Sequence, residues 1–166
     1  MHAVCLERKP HGRRVAGFTA VELITVMVLV GVLAVVALPR LDAAMSLRSA
    51  AWRDQVQAGL LQARSLSQGH RRLVCVSVAT GAVRISMASV NPASSCDTTV
   101  SGQDGDARWA VDPHSIAVTV TPSGTLFFQP DGRITSDGAG ALPVSATILV
   151  TGETALALTG ETGHVR

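Results

Sequence analysis

From residue 18 to residue 38 the chain runs for 21 residues with a single charge, Glu22; Thr19 and Thr25 are the other polar side chains. As a helix rising about 1.5 Å per residue, such a run covers roughly 30 Å, the hydrocarbon thickness of a bilayer. Arg8, Lys9, Arg13 and Arg14 precede it, and Arg40 and Asp42 close it. The basic flank predicts a cytoplasmic N-terminus with the rest of the chain exported. Against Glu7 alone, the four basic residues leave the first seventeen residues at +3, although the whole chain carries only +2. The remaining chain is therefore slightly acidic, which excludes a strongly basic nucleic-acid coat. Apolar residues make up 47% and charged residues 16%, so the rest of the chain is expected to bury a core rather than stay disordered.

Three accounts of the run compete. A cleaved secretory signal needs an apolar stretch of about 7–15 residues and a small-residue cleavage site, and here the run is longer and Val35-x-Ala37 is a poor site. A plain signal anchor leaves Glu22 unexplained, because a carboxylate inside a span costs a few kcal/mol unless it is paired. The third account starts from Ala16-Gly17-Phe18-Thr19-Ala20-Val21-Glu22-Leu23. A basic leader ends in Gly, an apolar helix begins with Phe, and Glu stands fifth in that helix. This resembles the type IV prepilin signature, shared by pilins and the pseudopilins of type II secretion, and Pro39 matches the kinking proline of many pilin helices. The resemblance implies cleavage after Gly17 by a prepilin peptidase and N-methylation of Phe18. It also implies a retained inner-membrane helix, single pass, with the C-terminal domain periplasmic. Glu22 would neutralise the α-amino group of a neighbouring pilin or pseudopilin subunit and set filament registry.

Beyond Pro39, Leu41, Met45, Trp52, Val56, Gly59/Leu60, Ala63 and Leu66 recur at three- and four-residue steps, with Arg53, Asp54, Gln57 and Arg64 off that stripe. The pattern predicts an amphipathic continuation of the helix, ended by a Gly69 cap signal. From Arg72 onward short strand-like runs follow, at 72–79, 82–89, 115–121, 125–129, 146–151 and 155–159. Thr80-Gly81, Pro122-Ser123-Gly124, Pro130-Asp131-Gly132 and Gly152-Glu153 serve as turns, and 90–107 is a polar loop. Thr-Gly-Glu-Thr occurs at 151–154 and again at 159–162, which suggests successive turns. The expected fold class is α+β and pilin-like: a long N-terminal helix, half membrane and half amphipathic, packed on an antiparallel β-sheet domain. The expected divisions are a leader 1–17, a transmembrane assembly helix 18–38, an amphipathic continuation 39–68 and a β-rich domain 69–166.

The order of Ala63-Arg64-Ser65, Val74-Cys75-Val76, Trp109, the run 126–134 and the ending Thr162-Gly163-His164-Val165-Arg166 resembles the GspH/FimT-type minor pilins and pseudopilins over nearly the whole chain. The resemblance implies a minor pilin that initiates or caps a type IV pilus. The alternatives are a type II secretion pseudopilin and a DNA-binding minor pilin of natural transformation. The last rests on a basic Gly-Arg-x-Arg ending; here His164 stands for the first Arg and Arg166 matches the second. Arg71 and Arg72 would add to that contact if the fold brings them near, and are ordinary solvated surface otherwise.

Cys5 lies in the leader, whereas Cys75 and Cys96 form an even pair in a domain expected to be periplasmic. Either they bridge, with a stabilisation on the order of 3 kcal/mol, or they are two free buried thiols. No His or further Cys stands at metal-ligand spacing. Asp97, Asp104, Asp106 and Asp112 are either a cation site or solvated turn residues, and their Gly/Ser-rich setting favours turns. His70, His114 and His164 are scattered, and no nucleophile elbow, P-loop or dinucleotide fingerprint occurs. No cofactor, no metal and no enzymatic activity are expected.

Overall fold

Thr19 starts the helix that organises this chain. Its hydroxyl accepts the backbone N–H of Glu22 at 3.2 Å, and its carbonyl accepts that of Leu23 at 3.1 Å. This is the N-cap half of a Thr-x-x-Glu capping box, with the acid in the first turn where the helix dipole favours it. The computed structural model describes residues 18–166 except 103–104, with side chains described outside 36–45. Helix α1 extends over Ala20–His70, 51 residues. The chain divides into two compact units, Met1–Asp42 and Ala43–Arg166, so α1 contributes to both.

The end of α1 departs from the expected cap. Gly69 stays helical, and Arg71 takes the left-handed conformation with φ 53°. The N–H of Arg72 then returns to the carbonyl of Ser67 at 3.1 Å, the long bond of a Schellman-type closure. Asn91 Nδ2 donates to the Arg71 carbonyl at 2.7 Å and pins the turn.

Strands follow in the second unit: β1 Val74–Ala79, β2 Ala82–Met87, β3 Thr98–Val100, β4 Ala110–Val111, β5 Val118–Thr121, β6 Leu126–Phe128, β7 Ile134–Thr135, β8 Ala146–Val150, β9 Leu156–Thr159 and β10 His164–Val165. They make two antiparallel sheets where one was expected. The first has the order β3-β2-β1-β6-β7, with β4 also paired to β2; the second has the order β10-β9-β8-β5. After β4 the chain joins the second sheet as β5, returns to the first as β6 and β7, and goes back as β8–β10. The chain therefore changes sheet three times, after β4, after β5 and after β7.

One core unites the second unit. The helix supplies Trp52, Val56, Leu60 and Ala63; the first sheet supplies Val74, Val76, Val83, Ile85, Leu126 and Phe128; the second supplies Ile148, Val150, Leu156 and Leu158. Alternation along β8 is strict, with Ala146, Ile148 and Val150 buried and the two residues between them exposed. Each sheet therefore turns one face inward, the period-two pattern of half-buried strands. Arginines of the helix fasten the rim. Arg53 Nε donates to the Thr154 carbonyl at 2.8 Å, and Arg64 Nη2 donates to the Thr162 carbonyl at 3.3 Å. The two Thr-Gly-Glu-Thr segments thus present the same carbonyl to two arginines three helical turns apart, instead of leaving those arginines on the solvated side of α1.

Three expectations need correction here. Among the described residues no helix is long and apolar enough to cross a membrane. The transmembrane segment 18–38 and the single-pass inner-membrane placement with a periplasmic domain do not stand. Nor does the pilin-like architecture: among the described residues the α+β arrangement has no membrane-spanning helix, and it carries two sheets because the chain crosses between them after β4, β5 and β7.

Candidate docking surface

Local chemistry accounts for the polar residues singled out in the sequence. Asp112, buried, accepts the N–H of His114 at 3.1 Å and that of Ile116 at 2.6 Å, so both carboxylate oxygens hold its own loop. Asp106 accepts from the Arg108 guanidinium at 2.8 Å and from the Arg108 N–H at 2.9 Å. Those bonds, the guanidinium first, hold the Asp106 carboxyl down to about 2. Asp97 accepts from the hydroxyl and the N–H of Ser89, and the Ser89 hydroxyl is the main cause of its lowered pKa. Asp104 lies outside the described residues. Each described carboxylate serves a separate turn, and among the described residues no group of three or more His, Cys, Asp or Glu is placed to hold a metal ion.

The cysteines meet. Cys75 on β1 and Cys96 in the loop after β2 are joined in a disulfide, with Cα atoms 6.1 Å apart. The bridge ties the 88–97 segment to the outer face of the first sheet, where Leu73, Cys75 and Ala88 form a small second core with Phe127 against it.

Arg71 and Arg72 follow the helix end, whereas His164 and Arg166 lie at β10, the edge of the second sheet. Among the described residues no hydrogen bond or ion pair joins the two pairs. The C-terminal tetrapeptide is largely structural: Gly163 is enclosed with φ 60°, Val165 is buried, and the Arg166 backbone exchanges two hydrogen bonds with Ala157, at 2.8 and 3.1 Å. Only the side chains of His164 and Arg166 face solvent.

Gly17, the expected cleavage position, lies outside the described residues with the rest of 1–17. Phe18 is 75% exposed, and Glu22 is an exposed first-turn residue of a capped helix. The role expected for Glu22, registry between subunits, has a local competitor that the apolar run concealed: Thr19 three residues earlier is the signal of a capping box.

What remains unpartnered is the first part of α1. Val21, Ile24, Val28, Leu29, Val32 and Leu33 are all more than half exposed, and Val35 is 75% exposed. Those side chains span one half of the helix at about 100° per residue; Leu23, Met27 and Val30, 52%, 64% and 58% exposed, cover the opposite half, so apolar side chains reach every face rather than one stripe. A soluble amphipathic helix keeps one side polar; one that is apolar all round is a buried helix whose surroundings lie outside the chain.

Set beside known proteins, the chain matches no family model, no curated protein and no solved structure. Together with the missing membrane-crossing helix, this overturns the membership in the GspH/FimT-type pilins and pseudopilins that the motifs imply, and with it the assignments as a type IV minor pilin, a type II secretion pseudopilin or a DNA-binding minor pilin.

Proposed function

We propose that this protein is a non-catalytic association subunit. The apolar first part of α1 packs among the same segment of further copies, and the α+β unit is the domain that such an assembly carries. One observation supports this above the others: between Val21 and Val35, with Glu22 and Thr25 the polar exceptions, apolar side chains are exposed around the full circumference of the helix. Fully burying a Val, Leu or Ile side chain is worth about 1.5–3 kcal/mol, so contact on two or three sides offsets the entropy of association. A single groove on one partner would cover only one side, whereas identical helices in a bundle cover all of them. The carboxylates and histidines of the second unit favour binding over catalysis, because the described aspartates are engaged in their own turns.

Sedimentation of the full chain over a tenfold concentration range tests the proposal. Oligomers are expected for the native chain, and monomers for Val28→Lys combined with Val32→Lys, with the circular dichroism of the β-unit unchanged. A native chain that is monomeric at every concentration, or a double variant that still associates, would overturn it.

A further inference from the structure

The outer face of the first sheet carries a polar groove of about 430 Å³, within the range of small-molecule sites. Register builds it. Thr99 on β3 stands opposite Ser86 on β2, Ser86 opposite Cys75 on β1, and Cys75 opposite Phe127 on β6. These four form one row across four strands. In the neighbouring row Arg84 stands opposite Ser77, and Thr125, just before β6, completes the rim. Alternation does the rest, since the flanking residues Val76, Val83, Ile85, Leu126 and Phe128 all point into the core.

The lining has an unusual state of engagement. None of the hydroxyls of Ser77, Ser86, Thr99 and Thr125 takes part in a hydrogen bond among the described residues. Arg84 is exposed and makes neither a hydrogen bond nor an ion pair; its charge reaches Asp106 only at longer range. Elsewhere in this unit Arg53, Arg64, Arg108 and Arg133 are each spent on a carbonyl or a carboxylate, whereas Arg71, Arg72 and Arg166, like Arg84, have unbonded side chains among the described residues. The half-buried Phe127 ring and the Cys75–Cys96 bridge give the groove an apolar floor, and among the described residues no carboxylate lines it.

We propose that this groove binds an acidic sugar, with the Arg84 guanidinium pairing the sugar carboxylate, the Ser and Thr hydroxyls meeting its hydroxyl groups, and Phe127 taking an apolar C–H face. The chemistry selects this class. Hydroxyls both donate and accept, which matches sugar hydroxyls and wastes half its capacity on an acceptor-only phosphate. One planar guanidinium suits one carboxylate through paired hydrogen bonds. A polyphosphate would call for several cations, and the groove has one. An aromatic face beside polar groups is the usual way a concave site holds an amphipathic ring.

The test uses the full chain and three probes followed by isothermal titration: trigalacturonate, the neutral maltotriose, and inorganic phosphate. Trigalacturonate is expected to bind at least tenfold more tightly than either of the others. Arg84→Gln, an exposed position outside the core, is expected to weaken it at least tenfold while Cys75–Cys96 remains bridged by thiol titration. Ser86→Ala, which removes the hydroxyl and adds no bulk, is expected to weaken both sugars and leave the fold intact. Absence of trigalacturonate binding at 10 mM, equal binding of phosphate, or binding indifferent to Arg84→Gln would each overturn the proposal.

Discussion

The backbone of Gly163 lies so close to the carbonyl of Gly132 that a methyl group added to Gly163 would overlap that oxygen. Gly132 belongs to the β6–β7 turn of the first sheet and Gly163 to the β9–β10 turn of the second, so this contact is a seam between the sheets. A backbone bond from the Ile134 N–H to the Gly160 carbonyl, 2.8 Å, runs along the same seam. On the other side, a Cβ on Gly132 would run into the Gln68 amide of α1. Helix and both sheets thus meet where only glycine leaves room.

Gly163→Ala should therefore destabilise the second unit strongly. Its φ of 60° alone costs a non-glycine residue on the order of 1 kcal/mol or more, and the overlap with Gly132 forces a shift in addition. A loss of about 2–4 kcal/mol in urea unfolding is expected; a loss below about 0.5 kcal/mol would show that the turns do not bear on each other.

Arg71 makes the opposite case. It holds a left-handed conformation with a side chain that has no bonded partner among the described residues, and its structural work is done by its carbonyl, which Asn91 grips. Arg71→Gly should leave stability unchanged or raise it by up to about 1 kcal/mol. Arg71→Val, β-branched at a positive φ, should lower it. Thermal unfolding of the two variants decides the point.

Removing the bridge should have a graded effect. Cys75 and Cys96 are 21 residues apart in sequence, and closing a loop of that size is worth about 3 kcal/mol in the chain-entropy account. Cys75→Ala with Cys96→Ala is expected to lose that amount in denaturant unfolding. Reductant should shift the midpoint of the native chain and leave that of the double variant in place.

Strong acid should loosen the loop before β4. The Asp106 carboxyl is depressed from 3.8 to about 2 by its bonds to Arg108. A group whose folded value is depressed adds stability above its unfolded value and loses that contribution as pH falls through the folded one. Amide exchange at Arg108, whose N–H donates to Asp106, should therefore be constant from pH 7 to about pH 4, apart from intrinsic exchange chemistry, and lose protection between about pH 4 and pH 2. Asp106→Asn, which keeps an acceptor but no titrating charge, should remove the pH dependence at that amide.

Features set by neighbours in the chain were legible from the residues themselves. Trp52, Val56, Leu60 and Ala63 recur at helical spacing and are the helix's contribution to the core. Thr80-Gly81 is a turn between β1 and β2, with Gly81 at φ 75°, and Gly132 at φ 93° turns β6 into β7. In each case backbone geometry and residue type are linked within a few positions, which is why a local pattern suffices. The capping role of Thr19 is equally local, set by the Thr-x-x-Glu spacing within the apolar run.

Tertiary structure alone decided the rest. Strands β3, β4, β7 and β10 are two or three residues long and exist because a partner strand lies beside them. No periodicity can register in so short a stretch. The division into two sheets, the pairing of Arg53 with Thr154 and Arg64 with Thr162, and the alignment of Thr99, Ser86, Cys75 and Phe127 in one row each join residues distant in sequence. The motif similarity to pilins failed for a related reason: a short cleavage-like signature and a length of apolar chain describe composition and spacing, whereas the fold depends on which strands find one another across a common core.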